Sequence, residues 1–459
     1  MATEDTIAAI ATPKGVGGIG IIRVSGAKAE EICHLLFRPA KDTASFQNHH
    51  LYHGTIISPD TNEAIDEVLI SLMRNPHSYT GEDTLEINCH GGPLILETVL
   101  NEVIKAGGRP ALPGEFTRRA FLNNRIDLSQ AEAVIDMISA RTGRGLNLAL
   151  SHLRGDLSKR IGRLRESLIE ILAHLETAID FTDDDIEPVP YAEISGKIEN
   201  VTRDIREILS TYRKGKLCRD GMKVLITGKP NVGKSSLLNR LLGEKRAIVT
   251  PVPGTTRDFI EEAINIRGMP VNFIDTAGIR NVHAIVEKEG IDLVWEKAES
   301  ADLIIVLLDG SARLTGEDTE VIEGNRGRKI AMVVNKSDLP AKLKDRELEK
   351  ILPGITPLWI SAKYGNGMDE LKEKIYALAC DHADDFGSDI VLTNLRHKLA
   401  LEKSAELLAQ ASDTIRKDLS PELPALDIRE SLDCLGEIVG ITTTEDILNE
   451  IFSNFCIGK

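Results

Sequence analysis

A chain of 459 residues, 42% of them hydrophobic and only 4% aromatic, is too long for one ordinary core, so two to four domains are expected. Its formal net charge of −16 argues against a surface that binds nucleic acid non-specifically, though a local basic patch is compatible with it. No stretch approaches the roughly 20 apolar residues of a membrane span, no basic region followed by an apolar core opens the chain, and the six cysteines form no CxxC pair, so a reduced cytoplasmic protein without disulfide framework or zinc site is expected.

Residues 1–120 carry β-branched runs at 19–24, 51–57, 67–72 and 84–88, separated by glycine-rich turns and one or two helical patterns. This predicts a compact α+β domain. Between residues 109 and 165 stand eleven Lys or Arg against five Asp or Glu, an excess of six in an acidic chain. The stretch is a candidate surface for a phosphate- or carboxylate-rich partner; the plainer alternative is a solvated helix face. Ser129-Gln130-Ala131-Glu132 has capping-box spacing, and Ala131, Val134, Ile135 and Ile138 follow at helical intervals. Leu153, Leu157, Ile161, Leu164, Leu168, Ile171, Leu175 and Ile179 form one long seam typical of a bundle helix. After an acidic, proline-bearing break at 181–188, a second seam runs through Ile194, Ile198, Val201, Ile205, Ile208, Leu209 and Tyr212. Residues 121–215 therefore read as helical.

From about residue 216 to 379 the pattern becomes mixed α/β. Gly228-Lys229-Pro230-Asn231-Val232-Gly233-Lys234-Ser235 fits the phosphate-loop spacing, with an apolar run at 223–227 before it and helical spacing from Ser236 to Leu242 after it. Such a loop turns successive N–H groups toward phosphate oxygens at the positive end of a helix dipole. Lys234 would reach the β- and γ-phosphates and the Ser235 hydroxyl would ligate Mg²⁺. Gly254-Thr255-Thr256 suits a first switch, with Thr256 on Mg²⁺, and Asp275-Thr276-Ala277-Gly278 follows a short strand, Asp275 supporting the Mg²⁺ shell through water and the Gly278 N–H sensing the γ-phosphate. Asn335-Lys336-Ser337-Asp338 ends another apolar run, and the Asp338 carboxylate matches the N1–H and 2-amino donors of guanine, which adenine lacks. Ser361-Ala362-Lys363 would supply a backbone N–H for the guanine O6. GTP and Mg²⁺ are therefore the expected ligands. The place of a water-orienting glutamine is taken by Ile279, so the attacking water needs another partner; Glu287 and Glu289 are the acidic candidates, and no arginine is obviously placed as a finger. After residue 379 helical periodicity returns at Leu395, Leu399, Leu407, Leu408 and Ile415, then at Ile428, Leu432, Leu435 and Val439. One helical bundle interrupted by an inserted nucleotide domain explains the order.

Outside the nucleotide motifs the chain carries further blocks: residues 5–12 (DTIAAIAT), 18–26 (GIGIIRVSG), 78–83 (SYTGED), 89–92 (CHGG), 113–117 (PGEFT), 128–133 (LSQAEA) and the terminal Phe455-Cys456-Ile457-Gly458-Lys459. Together with the motifs above they closely resemble the MnmE (TrmE) family of tRNA-modifying GTPases over essentially the whole chain. The resemblance implies a tetrahydrofolate-binding-like α+β domain at 1–120 that makes a homodimer, helical parts at 121–215 and 380–459, and an inserted Ras-like P-loop GTPase domain at 216–379. It assigns folate contacts, to a 5-formyl- or methylene-tetrahydrofolate, to Arg23, Glu86, Arg125 and Lys459; Arg125 stands where many relatives have lysine. It places Thr250, Pro251, Val252 and Pro253 with Ser236 and the motif residues around GTP, and makes Asn231, Thr250, Val252 and Thr255 ligands of an activating K⁺. It gives the water-orienting role to Glu287. Cys456 remains open between a nucleophilic thiol and a pocket-filling side chain.

The family's activity implies a GTPase cycle that, with an FAD-dependent MnmG (GidA)-like partner in a heterotetramer or larger complex, serves addition of a carboxymethylaminomethyl group to C5 of the wobble uridine of certain tRNAs. Two other classes fit the nucleotide motifs alone: a ribosome-assembly switch that gates RNA binding, and a regulatory GTPase acting on other proteins. A ribosome-assembly switch usually adds a basic RNA-binding module, which the acidic balance disfavours.

Overall fold

Ile22 and Val24, then Val68, Ile70 and Leu72, then Leu85 and Ile87 stand at every second position, which places each set on one side of extended chain. In a computed structural model, which describes residues 5–41, 45–180, 190–243, 247–248, 262–274, 301–380 and 391–459, these runs form strands. The strands are β1 (Thr6–Ile10), β2 (Ile19–Ser25), β3 (Phe37–Pro39), β4 (Leu51–Ile57), β5 (Ala64–Met73), β6 (Thr84–His90) and β7 (Gly108–Pro110). One sheet in the order 3-4-5-6-2-1-7 results, with β1 and β7 parallel and the other neighbours antiparallel. The helices Ala29–Leu36 and Pro93–Lys105 bury Ile32, Cys33, Leu36, Val99 and Val103 against Ile22, Val24, Ile70, Leu85 and Ile87. A third helix, Glu115–Leu122, exceeds the one or two expected; its buried residues include Thr117 and Arg119, which no apolar pattern reveals.

Contacts group the chain into two units, Met1–Ile135 with Ser151–Arg203 and Ala400–Lys459, and Asp136–Leu150 with Asp204–Leu399. In the first, the helix Asp156–Asp180 buries Leu157, Ile161, Leu164, Leu168, Ile171 and Leu175 and packs along the helix Glu422–Val439, which buries Ile428, Leu435 and Ile438. The expected single seam is corrected at its start: Leu153 ends the separate helix Gly143–Leu153, and the chain turns at Arg154 and Gly155 before Asp156. Likewise Tyr212 opens a new helix, Tyr212–Arg219, after Ser210 ends the previous one. The break at 181–188 lies outside the described residues. Among the final residues, Leu448, Phe452 and Phe455 pack on Leu128 and Ala131, and the Gly114 N–H donates to the Cys456 carbonyl at 3.4 Å. Gly458 then adopts φ 96°, and a Cβ there would stand 2.5 Å from the Ile10 carbonyl oxygen, so only glycine lets the terminus lie against β1.

Four cations of the basic stretch at 109–165 are engaged by the protein itself. Arg109 and Arg119 turn inward to Asp5, Glu82 and Glu115, Arg118 pairs with Glu445 at 2.6 Å, and Arg141 donates to Asn272 Oδ1 at 3.0 Å. Asp5, Asn272 and Glu445, all distant in sequence, take up part of the stretch's cations, while Arg154, Lys159 and Arg163 stay exposed.

The second unit contains β8 (Met222–Thr227), β9 (Ala247–Ile248), β10 (Glu262–Ile266), β11 (Met269–Ile274), β12 (Leu303–Asp309), β13 (Ile330–Asn335) and β14 (Leu358–Trp359). Their order is 14-13-12-8-11-10-9, parallel from β14 to β11 and antiparallel across β10 and β9. Apolar clusters cover both faces, one through Leu237, Leu241, Leu371 and Ile375, the other through Ile322 and Leu348, which is why these strands read as unbroken apolar runs. The Leu392 N–H donates to Thr211 Oγ1 at 2.9 Å, so the chain segments flanking this sheet lie side by side.

Candidate functional site

The loop from Gly228 to Gly233 leaves the carboxyl end of β8 and leads into the helix Lys234–Leu242, the crevice where ligands of open α/β sheets bind. Asn231 takes φ 64° and Gly233 φ 103°; a Cβ on Gly233 would sit 2.3 Å from Asn335 Nδ2. The loop is therefore compact backbone with no room for a side chain at Gly233, which fits a phosphate chain held by N–H groups. Lys234 Nζ donates to the carbonyls of Gly228 and Lys229 at 2.6 and 2.9 Å, spanning the loop. Ser235 and Ser236 occupy the first turn of that helix. Lys229, the other lysine of the motif, turns away: its Nζ meets Asp318 Oδ2 at 2.6 Å beside Thr315, at the start of the helix Gly316–Gly324.

Asn335 joins two motifs. Its Nδ2 donates to the Val232 carbonyl at 2.8 Å and its Oδ1 accepts from the Ala362 N–H at 3.0 Å, so one buried side chain fixes the phosphate loop relative to the loop after β14. Asp338 Oδ1 accepts from Ser361 Oγ at 2.6 Å. The Lys336 ammonium lies 2.6 Å from Asp309 Oδ2; burial works against the Asp309 carboxylate, but Lys336 and the Ser311 hydroxyl and N–H outweigh it and hold its pKa below the usual range. Thus Asn231 to Ser236, Asn335, Lys336, Asp338 and Ser361 to Lys363 converge at the carboxyl ends of β8, β13 and β14. Thr250, Pro251, Val252, Pro253, Gly254, Thr255, Thr256, Asp275, Thr276, Ala277, Gly278, Glu287 and Glu289 lie outside the described residues.

A second constellation forms in the first unit. Arg23 on β2 faces Glu86 on β6 in register, with Nε and Nη2 2.9 and 2.8 Å from Glu86 Oε1. Its guanidinium lies 5.7 Å from the Tyr79 ring centroid and 5.8 Å from that of Phe116, and Nη1 reaches the Gly458 carbonyl at 3.4 Å. The chain terminus, with Lys459 half-buried, is thereby brought to Arg23 and Glu86; Arg125 lies against Gly81, in the same loop as Tyr79. A cation and a carboxylate beside two rings fit a flat heterocycle with a charged tail. Behind them Arg119, 3% exposed, binds Asp5, Glu82 and Glu115, while the Tyr79 hydroxyl meets Thr117 Oγ1 at 2.9 Å. The Cys456 side chain is exposed rather than packed. By contrast burial pushes the Cys33 and Cys89 thiols up to about 12, where they remain unreactive.

The family model of the MnmE helical domain matches residues 128–456, and that of the GTP-binding protein TrmE N-terminus matches residues 6–125. This chain belongs to the MnmE/TrmE family. A "tRNA modification GTPase MnmE" of Syntrophus aciditrophicus is 56% identical over 456 residues, covering 99% of this chain and 100% of the relative. The protein of the same name from Geobacter metallireducens is 47% identical and covers all of both chains. Among solved structures, the G domain of the Thermotoga maritima FeoB iron transporter is similar over 34% of this chain and 98% of its own, with 29% identity and a TM-score of 0.27. In this MnmE-family chain, motif reading alone missed Tyr79, Phe116, Thr117 and Arg119; the blocks 78–83 and 113–117, which contain the first three, were the available signal. No signal marked Arg240, which reaches the loop after β14.

Proposed function

We propose that the protein is a GTP hydrolase acting in tRNA modification. The observation that carries this reading is the Asn335 bridge between phosphate loop and base loop, which gathers the guanine-reading residues, in a chain matched end to end by relatives named for that activity. Lys234 binds the β- and γ-phosphate oxygens, the N–H groups of the first helical turn complete the cradle, and Asp338 reads the base. Ser235 and Thr256 would hold Mg²⁺, and Asn231, Thr250, Val252 and Thr255, oxygen donors suited to a hard cation, would hold K⁺. Bound there, these cations would offset charge developing on the transferred phosphoryl group. Glu287 orients the attacking water.

The finer reading is that the paired nucleotide domains of a cytoplasmic homodimer open and close with the GTPase cycle and so control the site around Arg23, Glu86, Arg125 and Lys459. That site would hold a tetrahydrofolate derivative, the one-carbon donor for C5 of the wobble uridine, with an MnmG-like flavoprotein as partner. Residues 1–120, 121–215 with 380–459, and 216–379 are the proposed domains. Among the described residues no helix is long and apolar enough to cross a membrane.

Nucleosides of tRNA from a strain lacking the protein test the reading: the modified wobble uridine should disappear and return with the intact gene but not with Lys234→Ala. Unchanged modification in the deletion strain would refute it. For the nucleotide domain, replacing sodium by potassium should raise turnover about tenfold or more. Glu287→Ala should lower turnover about a hundredfold with GTP affinity retained. Equal rates in the two salts would remove the potassium mechanism.

A further inference from the structure

Arg240, near the end of the helix Lys234–Leu242, belongs to no nucleotide-binding motif. Its Nε donates to the Ala362 carbonyl at 3.1 Å and its Nη2 to the Lys363 carbonyl, both in the loop between β14 and the helix Met368–Cys380. Two amides of that loop are already engaged: the Ser361 N–H donates to the Asn366 carbonyl at 3.0 Å and the Ala362 N–H to Asn335 Oδ1. Among the described residues, the Lys363 N–H donates to no acceptor. It is the amide left for a base oxygen. The Ala362 carbonyl and the Lys363 N–H belong to one planar trans peptide, so they point in opposite directions and holding one aims the other. A charged donor on the carbonyl also polarises that peptide and strengthens its N–H. The two donors of a planar guanidinium suit two carbonyls as a single ammonium does not.

We propose that Arg240 is a positioning residue for guanine specificity, holding the Ala362–Lys363 peptide so that the Lys363 N–H meets the O6 of the base. This rests on the guanine-nucleotide reading given above. Adenine would present an amino group to that N–H, donor against donor, so the same brace also works against the wrong base. The helix that begins at the phosphate loop thereby ends by fixing the base loop, and Asn335 fixes it from the other side.

Binding of GDP and of 6-thio-GDP, in which sulfur, a weaker acceptor, replaces O6, is to be measured on the full-length protein, its Arg240→Met variant and its Arg240→Lys variant. The parent protein should prefer GDP. Arg240→Met should weaken GDP about tenfold while leaving 6-thio-GDP within about twofold, which collapses the preference; Arg240→Lys should fall between. A merely structural role would lower the melting temperature and weaken both nucleotides equally, and that result, or unchanged affinity for both, overturns the proposal. Failure of the parent protein to bind GDP at all sinks the nucleotide reading itself and the proposal with it.

Discussion

Asp338→Asn is expected to weaken GTP binding about a thousandfold and to shift preference to xanthosine triphosphate, because one hydrogen bond to a charged acceptor gives way to a donor–donor clash and the other loses its charge. The side chain is already oriented: Oδ1 accepts from Ser361 Oγ at 2.6 Å, and among the described residues Oδ2 has no protein donor. A carboxylate so held accepts from both the N1–H and the 2-amino group of guanine. An amide keeps one acceptor for the N1–H and turns a donor toward the 2-amino group, so one bond survives without its charge and the other becomes a clash. Xanthine carries an oxygen where guanine carries that amino group, and the amide of the variant then pairs with it. Equilibrium binding of the two triphosphates to parent and variant measures the exchange. A GTP dissociation constant within tenfold of the parent would show that Asp338 does not read the base.

The nucleotide unit was legible because its strands are buried on both faces and read as short apolar runs ending in polar motifs: 223–227 lengthened by one residue into β8, and the run before Asn335-Lys336-Ser337-Asp338 became β13. What each motif does alone could be read locally. How the motifs hold one another could not, since Asn335 and Val232 are 103 residues apart and Arg240 and Ala362 122. The same cause hid the partners of Arg119 within the basic stretch. Arg119 looked like surface charge because Glu82 lies 37 residues away and Asp5 114. The site around Arg23 was visible only through family resemblance; strand pairing places Glu86 opposite Arg23, which neither periodicity nor spacing fixes. Leu153 failed for a local reason. Apolar spacing carries across a short turn without registering the turn.

Arg119→Ala should destabilise the N-terminal sheet by about 3–5 kcal/mol, the usual cost of removing one partner from a buried ion cluster. Its guanidinium is 3% exposed and reaches Asp5 at 2.7 Å, Glu82 at 3.0 Å and Glu115 at 3.2 Å, so its loss leaves Glu115, 10% exposed, with Arg109 and the Leu112 N–H. The cluster links residues before β1, the loop carrying Tyr79 and the helix carrying Phe116, hence both rings around Arg23 should loosen with it. Burial raises the pKa values of Asp5 and Glu115, but the hydrogen bonds from Arg109 and Arg119 outweigh it and hold both below the usual carboxylate range. Groups depressed in the folded state contribute stability that is complete above their unfolded values, near pH 4, and is lost as pH falls through the folded ones. The parent sheet should therefore weaken in acid below about pH 4, and Arg119→Ala should flatten that dependence because much of the depression is gone. Since the chain has more than one unit, a single unfolding curve would mix transitions, and hydrogen exchange of the β1 and 115–122 amides in the full-length protein reads the local effect. Opening energies within about 1 kcal/mol of the parent at pH 7, or an unchanged acid slope, would mean that the cluster is solvated ion pairing of little worth. If the loss appears, reduced-folate binding should fall in the same variant although Asp5, Glu82 and Glu115, the ion-pair partners of Arg119, are not assigned to that ligand.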